Sequence, residues 1–301
     1  MTAPGPPAAA PKRPKALLFD IGGVCVVSPF QAILDHERAH GIPVGWINAA
    51  ISAAAPAGAW QRVERGEAAL DDAFFAEFAA DLAAPAAWGA FWAKRGVTSS
   101  SSQLPLPPPP PPPPKVDAKK LFWEMMRVSR APDRWMWPAV RELGRVAAKG
   151  EEEGGGFVLG ALSNTVVFPE GVVDEKGAVF ESGLRVEGPG GKVEVGDVTA
   201  AFDVFISSAH VGLRKPDRRI YEMAVRLLDE EARRRGVEGG VGAGDVLFLD
   251  DIGQNLKAAK EMGMRTLKVD LGKSLKAVRE LEEIMGLSLL AEEVAGEKAR
   301  L

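Results

Sequence analysis

Acidic, hydroxyl, amide and lysine side chains follow short apolar stretches at four separated places in the sequence. They are Asp20, Ser163, Asn164, Lys215, Asp250 and Asp251. In an open parallel sheet, ligands bind beyond the carboxyl ends of the strands. If the apolar stretches are strands of one such sheet, these side chains converge at one edge of it. The sequence therefore predicts a site where several carboxylates, a hydroxyl and a lysine act together.

The three carboxylates of the predicted site repel one another, which indicates a bound cation. Two carboxylates about 4 Å apart repel by roughly 4 kcal/mol at an effective dielectric constant of 20. Mg²⁺ takes one or two carboxylates, keeps several waters and suits a phosphate-bearing substrate, while Lys215 supplies a second positive charge. One of the carboxylates can then attack phosphorus and form an aspartyl-phosphate that water hydrolyses. Ser163 and the backbone N–H groups after Asp20 are expected to hold the phosphoryl oxygens.

Short apolar stretches and the patterns between them predict the elements that position this chemistry. The stretches at 16–19, 157–162, 204–206, 246–249 and 266–269 are each short enough to be a buried strand. Helical patterns lie between the later stretches, and strand alternating with helix is typical of a parallel sheet covered on both faces. Pro216 suits a first helical position, so Lys215 is expected to open a helix. Two glycine-rich loops, 154–156 and 183–196, are predicted with a short hairpin between them.

Residues 31–130 differ from the rest, because their patterns are helical throughout. One apolar stripe follows an acidic first turn at Asp71 and Asp72. The stripe consists of Phe74, Phe75, Phe78 and Leu82. We therefore expect a helical cap at 31–134, inserted into a core made of 15–30 and 135–301.

Two low-complexity segments complete the predicted organisation. Residues 1–14 are rich in Ala and Pro and are expected to be a disordered tail. A Ser- and Pro-rich insertion at about 97–115 ends in a polyproline rod of roughly 25 Å. This rod is either a tolerated loop or a ligand for an aromatic proline-recognition domain.

Composition excludes several classes of function. The chain has 301 residues, 46% of them hydrophobic, and a net charge of -4, whereas nucleic-acid binding needs a concentrated basic surface, so no nucleic-acid partner is expected. No apolar run approaches the roughly 20 residues that span a bilayer, so no membrane association is expected. The single cysteine, Cys25, is expected to be a packed core thiol. The expected location is cytoplasmic.

The motifs, taken in chain order, resemble the haloacid dehalogenase (HAD) superfamily. Asp20, Ser163, Lys215 and the Asp250–Asp251 pair stand at its four motifs. The sequence is most similar to the N-terminal phosphatase-like domain of soluble epoxide hydrolases and to the related domain of some acyl-CoA dehydrogenase fusions. The resemblance implies a Rossmann-like α/β core with an inserted helical cap. It also implies a HAD-like hydrolase, most simply a Mg²⁺-dependent phosphatase acting on a small phosphorylated metabolite.

Residue roles also follow from the resemblance. Asp20 is expected to be the nucleophile and, with Asp250 and the Gly22 carbonyl, to bind Mg²⁺. The phosphoryl group is expected to be bound by Ser163, Asn164 and Lys215, with Asp251 in support. Members of the superfamily usually carry a second aspartate two residues after the nucleophile, and it protonates the leaving group. This chain has Gly22 there, and because losing a positioned acid costs about 10²- to 10⁴-fold in rate, slow or leaving-group-selective turnover is expected.

Three other functions compete with this interpretation. A catalytically silent phosphate-binding or interaction protein would keep the same residues for stability. A dehalogenase needs no leaving-group acid and no metal. His36, Glu37 and His40 match the zinc-protease pattern, with Glu64 or Glu67 as a further ligand. That pattern leaves the four motif positions unexplained, so we expect a solvated helix there, and we expect Asn255 to be structural.

Overall fold

Seven short strands form two sheets in the computed structural model, which describes residues 12–97, 111–152, 156–187 and 192–290. Within those residues the strands are β1 (Ala16–Phe19), β2 (Val158–Ser163), β3 (Leu184–Glu187), β4 (Val193–Gly196), β5 (Val204–Ser207), β6 (Val246–Asp250) and β7 (Arg265–Lys268). Five of them are parallel, in the order β5-β2-β1-β6-β7, and β3 pairs with β4 in an antiparallel hairpin. The predicted α/β fold class with a parallel sheet is confirmed.

The central strands are buried along their whole length because helices cover both faces of the sheet. Every residue of β1, β2 and β6 is buried. The register places Leu18 between Gly160 and Phe248. A side chain at Gly160 would clash, since an added Cβ would lie 2.8 Å from a methyl carbon of Leu228. A central strand and the helix over it therefore approach closely at a residue without a side chain.

Six helices follow β1 directly in the chain. They are α1 (Pro29–Ala39), α2 (Trp46–Ala53), α3 (Ala59–Glu64), α4 (Asp72–Leu82), α5 (Pro85–Val97) and α6 (Ala118–Val128). We call these six helices the helical insertion, and they share one buried aromatic cluster. The predicted stripe on α4 is confirmed, since its four apolar residues are buried. Asp71 caps α4 by accepting a hydrogen bond from the Phe74 N–H.

Five further helices follow the helical insertion and complete the layers. They are α7 (Met136–Glu152), α8 (Ser208–Val211), α9 (Arg218–Arg234), α10 (Gly253–Glu261) and α11 (Ser274–Met285). One apolar cluster packs α7 and α11 against the sheet, and a second packs α9 and α10. Among the described residues, no helix combines the length and apolarity needed to cross a bilayer.

One local prediction is wrong. Helix α9 begins at Arg218, after both Lys215 and Pro216, because Asp217 caps it by accepting a hydrogen bond from the Arg219 N–H. The short hairpin predicted between the two glycine-rich loops is present, since Val173 and Val179 form an antiparallel bridge there. A second hairpin, β3–β4, lies within the second glycine-rich loop.

Parts of the predicted organisation lie outside the described residues. These parts are residues 1–11 of the tail, 98–110 of the Ser- and Pro-rich insertion, 154–155 and 188–191 of the two glycine-rich loops, and 291–301 of the predicted core. The division into a core and a cap stays a prediction.

Phe122 lies at the centre of the aromatic cluster, where its ring contacts those of Trp60, Phe74, Phe75 and Trp123. We expect Phe122→Ala to lower the free energy of unfolding by about 3–5 kcal/mol, because it leaves a cavity among rigid rings. Urea unfolding followed by circular dichroism measures the loss. Val179→Ala is the control, since Val179 is 63% exposed. A loss below about 1 kcal/mol for Phe122→Ala would contradict this role.

Candidate active site

A buried lysine joins two of the predicted site carboxylates. The Nζ atom of Lys215 lies 2.8 Å from Oδ1 of Asp20 and 2.8 Å from Oδ2 of Asp250. Lys215 is 1% exposed and Asp250 is fully buried. A buried charge is tolerated only when it is paired and hydrogen-bonded. The lysine therefore compensates the two carboxylates across neighbouring strands.

The pKa values at the site reflect this balance of burial and charge. Burial lowers the pKa of Lys215, but Asp20 and Asp250 outweigh burial, so that its pKa is raised and it stays charged. Burial, followed by repulsion from Asp250 and Asp251, raises the pKa of Asp20 well above its usual range in spite of Lys215. Burial and repulsion from Asp250 raise the pKa of Asp251 to about 7. One lysine therefore does not compensate all three carboxylates.

Asp250 is held in one orientation by groups that follow it in the chain. The side-chain amide of Asn255 donates to both carboxylate oxygens of Asp250, at 3.1 Å each, and the Ile252 N–H donates to Oδ1 at 2.7 Å. Asn255 is thus structural, as expected, but it acts directly on a site carboxylate. Its position in the first turn of the helix after Asp250 is the sequence signal for this contact.

The three carboxylates form a donor set that fits a hard divalent cation. Asp20, Asp250 and Asp251 each offer an oxygen, and these oxygens lie within 4.8 Å of one another. Oδ1 of Asp251 is buried and has no hydrogen-bond partner. Glycine at position 23 allows this approach, since a Cβ there would lie 2.3 Å from Oδ2 of Asp251 and the backbone φ is +82°. Oxygen ligands of this kind are those that Mg²⁺ prefers.

Ser163 is the last residue of β2 and Asn164 follows it, beside β1, which Asp20 follows. Ser163 is buried. Oδ1 of Asn164 accepts a hydrogen bond from the Lys215 N–H at 2.8 Å, and its amide nitrogen donates to the Lys215 carbonyl at 3.2 Å. Asn164 therefore fixes the backbone of the loop that delivers the lysine.

Two cavities adjoin these residues. The first has a volume of about 480 Å³ and is lined at the sheet edge by Asp20, Gly22, Asn164, Lys215 and Asp251. The second has a volume of about 660 Å³, also reaches Gly22 and Asn164, and includes Ser163 together with apolar side chains such as Phe168 and Phe180. The predicted site residues are thus brought together, with Asp250 buried beneath them.

The zinc-protease pattern has a structural explanation. Nδ1 of His36 lies 2.8 Å from a carboxylate oxygen of Glu124, and the ring of His40 stacks on that of His36. The Glu37 carboxylate accepts hydrogen bonds from the Gly45 and Ile47 N–H groups. The expectation of a solvated helix is wrong for His36 and Glu37, which are buried. In the described part of the chain, the aspartates at the sheet edge are the one cluster of three or more metal-ligating side chains.

The remaining candidate residues separate into core and cavity positions. Cys25 is buried, as expected, and its thiol donates to the Asp20 carbonyl at 3.3 Å. Trp46, Trp88 and Trp123 are buried in the helical insertion, whereas Trp60 lines both cavities. Packing is therefore the role of most of these tryptophans.

Comparison with known proteins gives partial relatives of two kinds, while no family model matches the chain. Acyl-CoA dehydrogenase family member 10 of Mus musculus is 26% identical over 275 residues, which are 91% of this chain and 19% of that protein. Bifunctional epoxide hydrolase 2 of Sus scrofa is 37% identical over 89 residues, which are 30% of this chain and 14% of that protein. These are the two kinds of protein that the motifs resemble. The resemblance of the sequence to these two kinds of protein is confirmed.

Structural comparison gives a weaker likeness. A HAD family enzyme from Bacteroides thetaiotaomicron, solved in complex with magnesium and inorganic phosphate, is similar at a TM-score of 0.41 and 16% identity. The match covers 86% of this chain and 95% of that one. At this TM-score the likeness supports no inference about activity. The chain also spans only a small part of both sequence relatives, so their full activities are not transferred to it.

Removal of the buried lysine charge should destabilise the protein in a pH-dependent way. We expect Lys215→Met to cost about 3–5 kcal/mol near pH 8, because it leaves Asp20 and Asp250 without a cation. Acids whose pKa is raised by folding lose stability as pH rises through the interval between their unfolded and folded pKa values. The loss should therefore be smaller near pH 5.5, because Asp20, whose pKa is raised well above its usual range, is protonated to a greater extent there than near pH 8.

Urea unfolding at the two pH values measures this effect. Lys257→Met is the control, since the side chain of Lys257 is 78% exposed. Equal losses for Lys215→Met at both pH values would contradict the role of Lys215 as the counter-charge of the carboxylates.

Proposed function

We propose that this protein is a HAD-like hydrolase, a Mg²⁺-dependent phosphatase that cleaves small phosphoric monoesters through an aspartyl-phosphate on Asp20. The observation that carries this proposal is the joining of Asp20 and Asp250 by Lys215 at the wall of a cavity, with an unpartnered oxygen of Asp251 beside them. Phosphoryl transfer needs concentrated positive charge around a nucleophile, and this arrangement has positions for two cationic groups.

The hydrogen bonds of Asp20 favour its role as the nucleophile. Its Oδ1 is engaged by Lys215 and by the Ile21 N–H at 2.7 Å. Its Oδ2 accepts no hydrogen bond from a described residue, and Asp20 lines the cavity. One oxygen is thus fixed while the other is available to attack phosphorus, which is the pre-organisation that covalent catalysis requires.

The other roles follow from position at the sheet edge. Asp20, Asp250 and the Gly22 carbonyl would hold Mg²⁺, which supplies positive charge beside the phosphoryl oxygens, and Asp251 supports this set. Ser163, Lys215 and the backbone N–H groups after Asp20 would bind the phosphoryl oxygens, with Asn164 holding the lysine loop in place. Because residue 22 is a glycine, the loop after β1 carries no general acid. Without an acid from elsewhere, the site favours substrates whose leaving groups depart without protonation.

A dehalogenase is the second candidate, and Gly22 is the observation that favours it. Displacement of a halide by Asp20 needs no leaving-group acid and no metal. The buried, unpartnered oxygen of Asp251 favours the metal-dependent reaction. A silent phosphate-binding protein would share the site but would show no turnover that depends on Asp20.

Activity of the purified protein tests the nucleophile directly. With Mg²⁺ and 4-nitrophenyl phosphate, we expect Asp20→Asn to lower kcat by on the order of 10³-fold or more, because the amide cannot form the phosphoenzyme. Asp270→Asn is the matched control, since Asp270 lies on the surface and pairs with Lys268. Equal residual rates for Asp20→Asn and the wild type would favour the silent protein. Release of halide from 2-chloropropionate without Mg²⁺ would favour the dehalogenase.

Binding of Mg²⁺ can be measured without turnover. We expect saturating Mg²⁺ to raise the melting temperature of the wild type, because a ligand at 100 times its Kd stabilises by about 2.7 kcal/mol. The shift should be smaller for Asp250→Asn. Because the pKa of Asp251 is raised to about 7, protons compete with the metal below that pH, and Mg²⁺ affinity should rise from about pH 6 to about pH 8. Asp245→Asn serves as the control, and pH-independent affinity would contradict the assignment of these carboxylates.

A further inference from the structure

The loop after β1 has space for an acid but does not carry one. Gly22 lines both cavities, and a Cβ added there would lie 3.4 Å from its nearest neighbour, the Cδ atom of Pro29, which is an ordinary contact. The backbone at this position is not in the left-handed region. Packing therefore does not force a glycine here, and the proton for the leaving group has to come from another residue.

Glu64 is the remaining carboxyl at the first cavity. Among the described residues that line it, the carboxyls are Asp20, Asp251 and Glu64, and the first two are already assigned. Glu64 also lines the second cavity. It is the last residue of α3, and its side chain is 9% exposed. A carboxyl of the helical insertion is thus present where the two cavities meet, opposite the sheet edge.

Contacts from the sheet side of the cavity hold Glu64 in position. Nε of Arg214 lies 2.7 Å from Oε2 of Glu64, and Arg214 directly precedes Lys215. The Ser208 hydroxyl donates to the Glu64 carbonyl at 2.5 Å. Two residues later, Gly66 has a φ of +67°, and a Cβ there would lie only 2.3 Å from the Ala209 carbonyl oxygen. The end of α3 is therefore fixed against α8 and the lysine loop.

The surroundings of Glu64 suit a group that gains and loses a proton. Burial raises its pKa, opposed by Arg214, by a hydrogen bond from Trp60 and by Lys215. Arg65 is the nearest charged group on its own segment. Helix α8, which packs against α3, contributes His210, whose Nδ1 is hydrogen-bonded to Ser207. Burial thus favours the acid form, and Arg214 stabilises the carboxylate that remains after the proton has left.

We propose that Glu64 is the catalytic acid and base of this phosphatase and replaces the acid that Gly22 lacks. In the first step an Asp20 oxygen bonds to phosphorus, the bond to the leaving oxygen breaks, and the Glu64 proton passes to that oxygen to give an alcohol. In the second step water attacks phosphorus, the Glu64 carboxylate takes the proton of the water, and the bond from phosphorus to Asp20 breaks to release phosphate. This inference rests on the proposed phosphatase function, and it removes the slow turnover expected from Gly22 alone.

Two substrates of nearly the same shape test the acid. Phenyl phosphate has the poorer leaving group and needs protonation more than 4-nitrophenyl phosphate does. In single-turnover experiments with Mg²⁺, we expect Glu64→Gln to slow phenol release by about 10²-fold or more and to leave nitrophenolate release within about threefold. Phenol release by the wild type should fall as pH rises through the pKa of Glu64, and this dependence should disappear in Glu64→Gln. Glu67→Gln, an exposed carboxyl three residues later, is the control.

A second variant separates loss of an acid from a general loss of structure. Gly22→Asp places an acid where the structure has space for it. We expect it to restore at least about tenfold of the phenol release that is lost in the Glu64→Gln background, because a new acid can replace a missing proton donor but cannot repair a folding defect.

The outcomes separate this inference from the proposed function. Equal slowing of both substrates by Glu64→Gln, an unchanged pH profile, or no rescue by Gly22→Asp would overturn the role of Glu64 and leave the phosphatase intact. A wild type that hydrolyses neither substrate, or whose activity does not depend on Asp20, would overturn the proposed function itself.

Discussion

The structure of the site depends on one interaction, the burial of the Lys215 ammonium group between the carboxylates of Asp20 and Asp250. Carboxylates from adjacent strands of a parallel sheet cannot approach one another in a low-dielectric interior without a cation. The lysine is long enough to reach the sheet edge from the loop before α9, and Asn164 fixes the backbone of that loop. A covalent neighbour of the lysine, Arg214, holds Glu64. The same short segment therefore organises both the sheet edge and the helical side of the cavity.

Lys215 compensates only part of the negative charge of the three carboxylates, and the remaining charge matters for the chemistry of the site. One ammonium group balances at most part of the charge of three carboxylates, which is why the pKa of Asp20 and that of Asp251 remain raised. A site fully neutralised by its own side chains would have no reason to bind a metal ion. The Oδ1 atom of Asp251 is buried and has no hydrogen-bond partner among the residues that the structure describes, so part of the uncompensated negative charge lies at this atom. In the proposed function, the stability that is lost here gives the site affinity for a cation and for the phosphate that accompanies it.

Much of this arrangement is predictable from sequence because it depends on strand ends. Short apolar stretches followed by Asp20, Ser163 and Asp250 locate the edge of a parallel sheet, and the five sheet strands lie close to their predicted positions. Contacts between residues that only the tertiary fold brings together are harder to predict from sequence. Glu64 gives no signal of its own, since a glutamate at the end of a short helix is ordinary, and only folding brings it to Arg214. The burial of His36 and Glu37 is not predictable either, because their partners, Glu124 and the Gly45 N–H, are distant in sequence or belong to the backbone.

Gly66 packs against the Ala209 carbonyl, two residues after the proposed proton donor Glu64. Together with the hydrogen bond from Ser208 to the Glu64 carbonyl, this contact attaches the end of α3 to the sheet side of the cavity. If the helical insertion moved so that the cavity widened, the contact between Gly66 and Ala209 would break, and Glu64 would move away from the bound ester. An open molecule would then admit a phosphate compound without being able to expel its alcohol. In the proposed mechanism, cleavage of an ester with a poor leaving group therefore depends on this contact being intact.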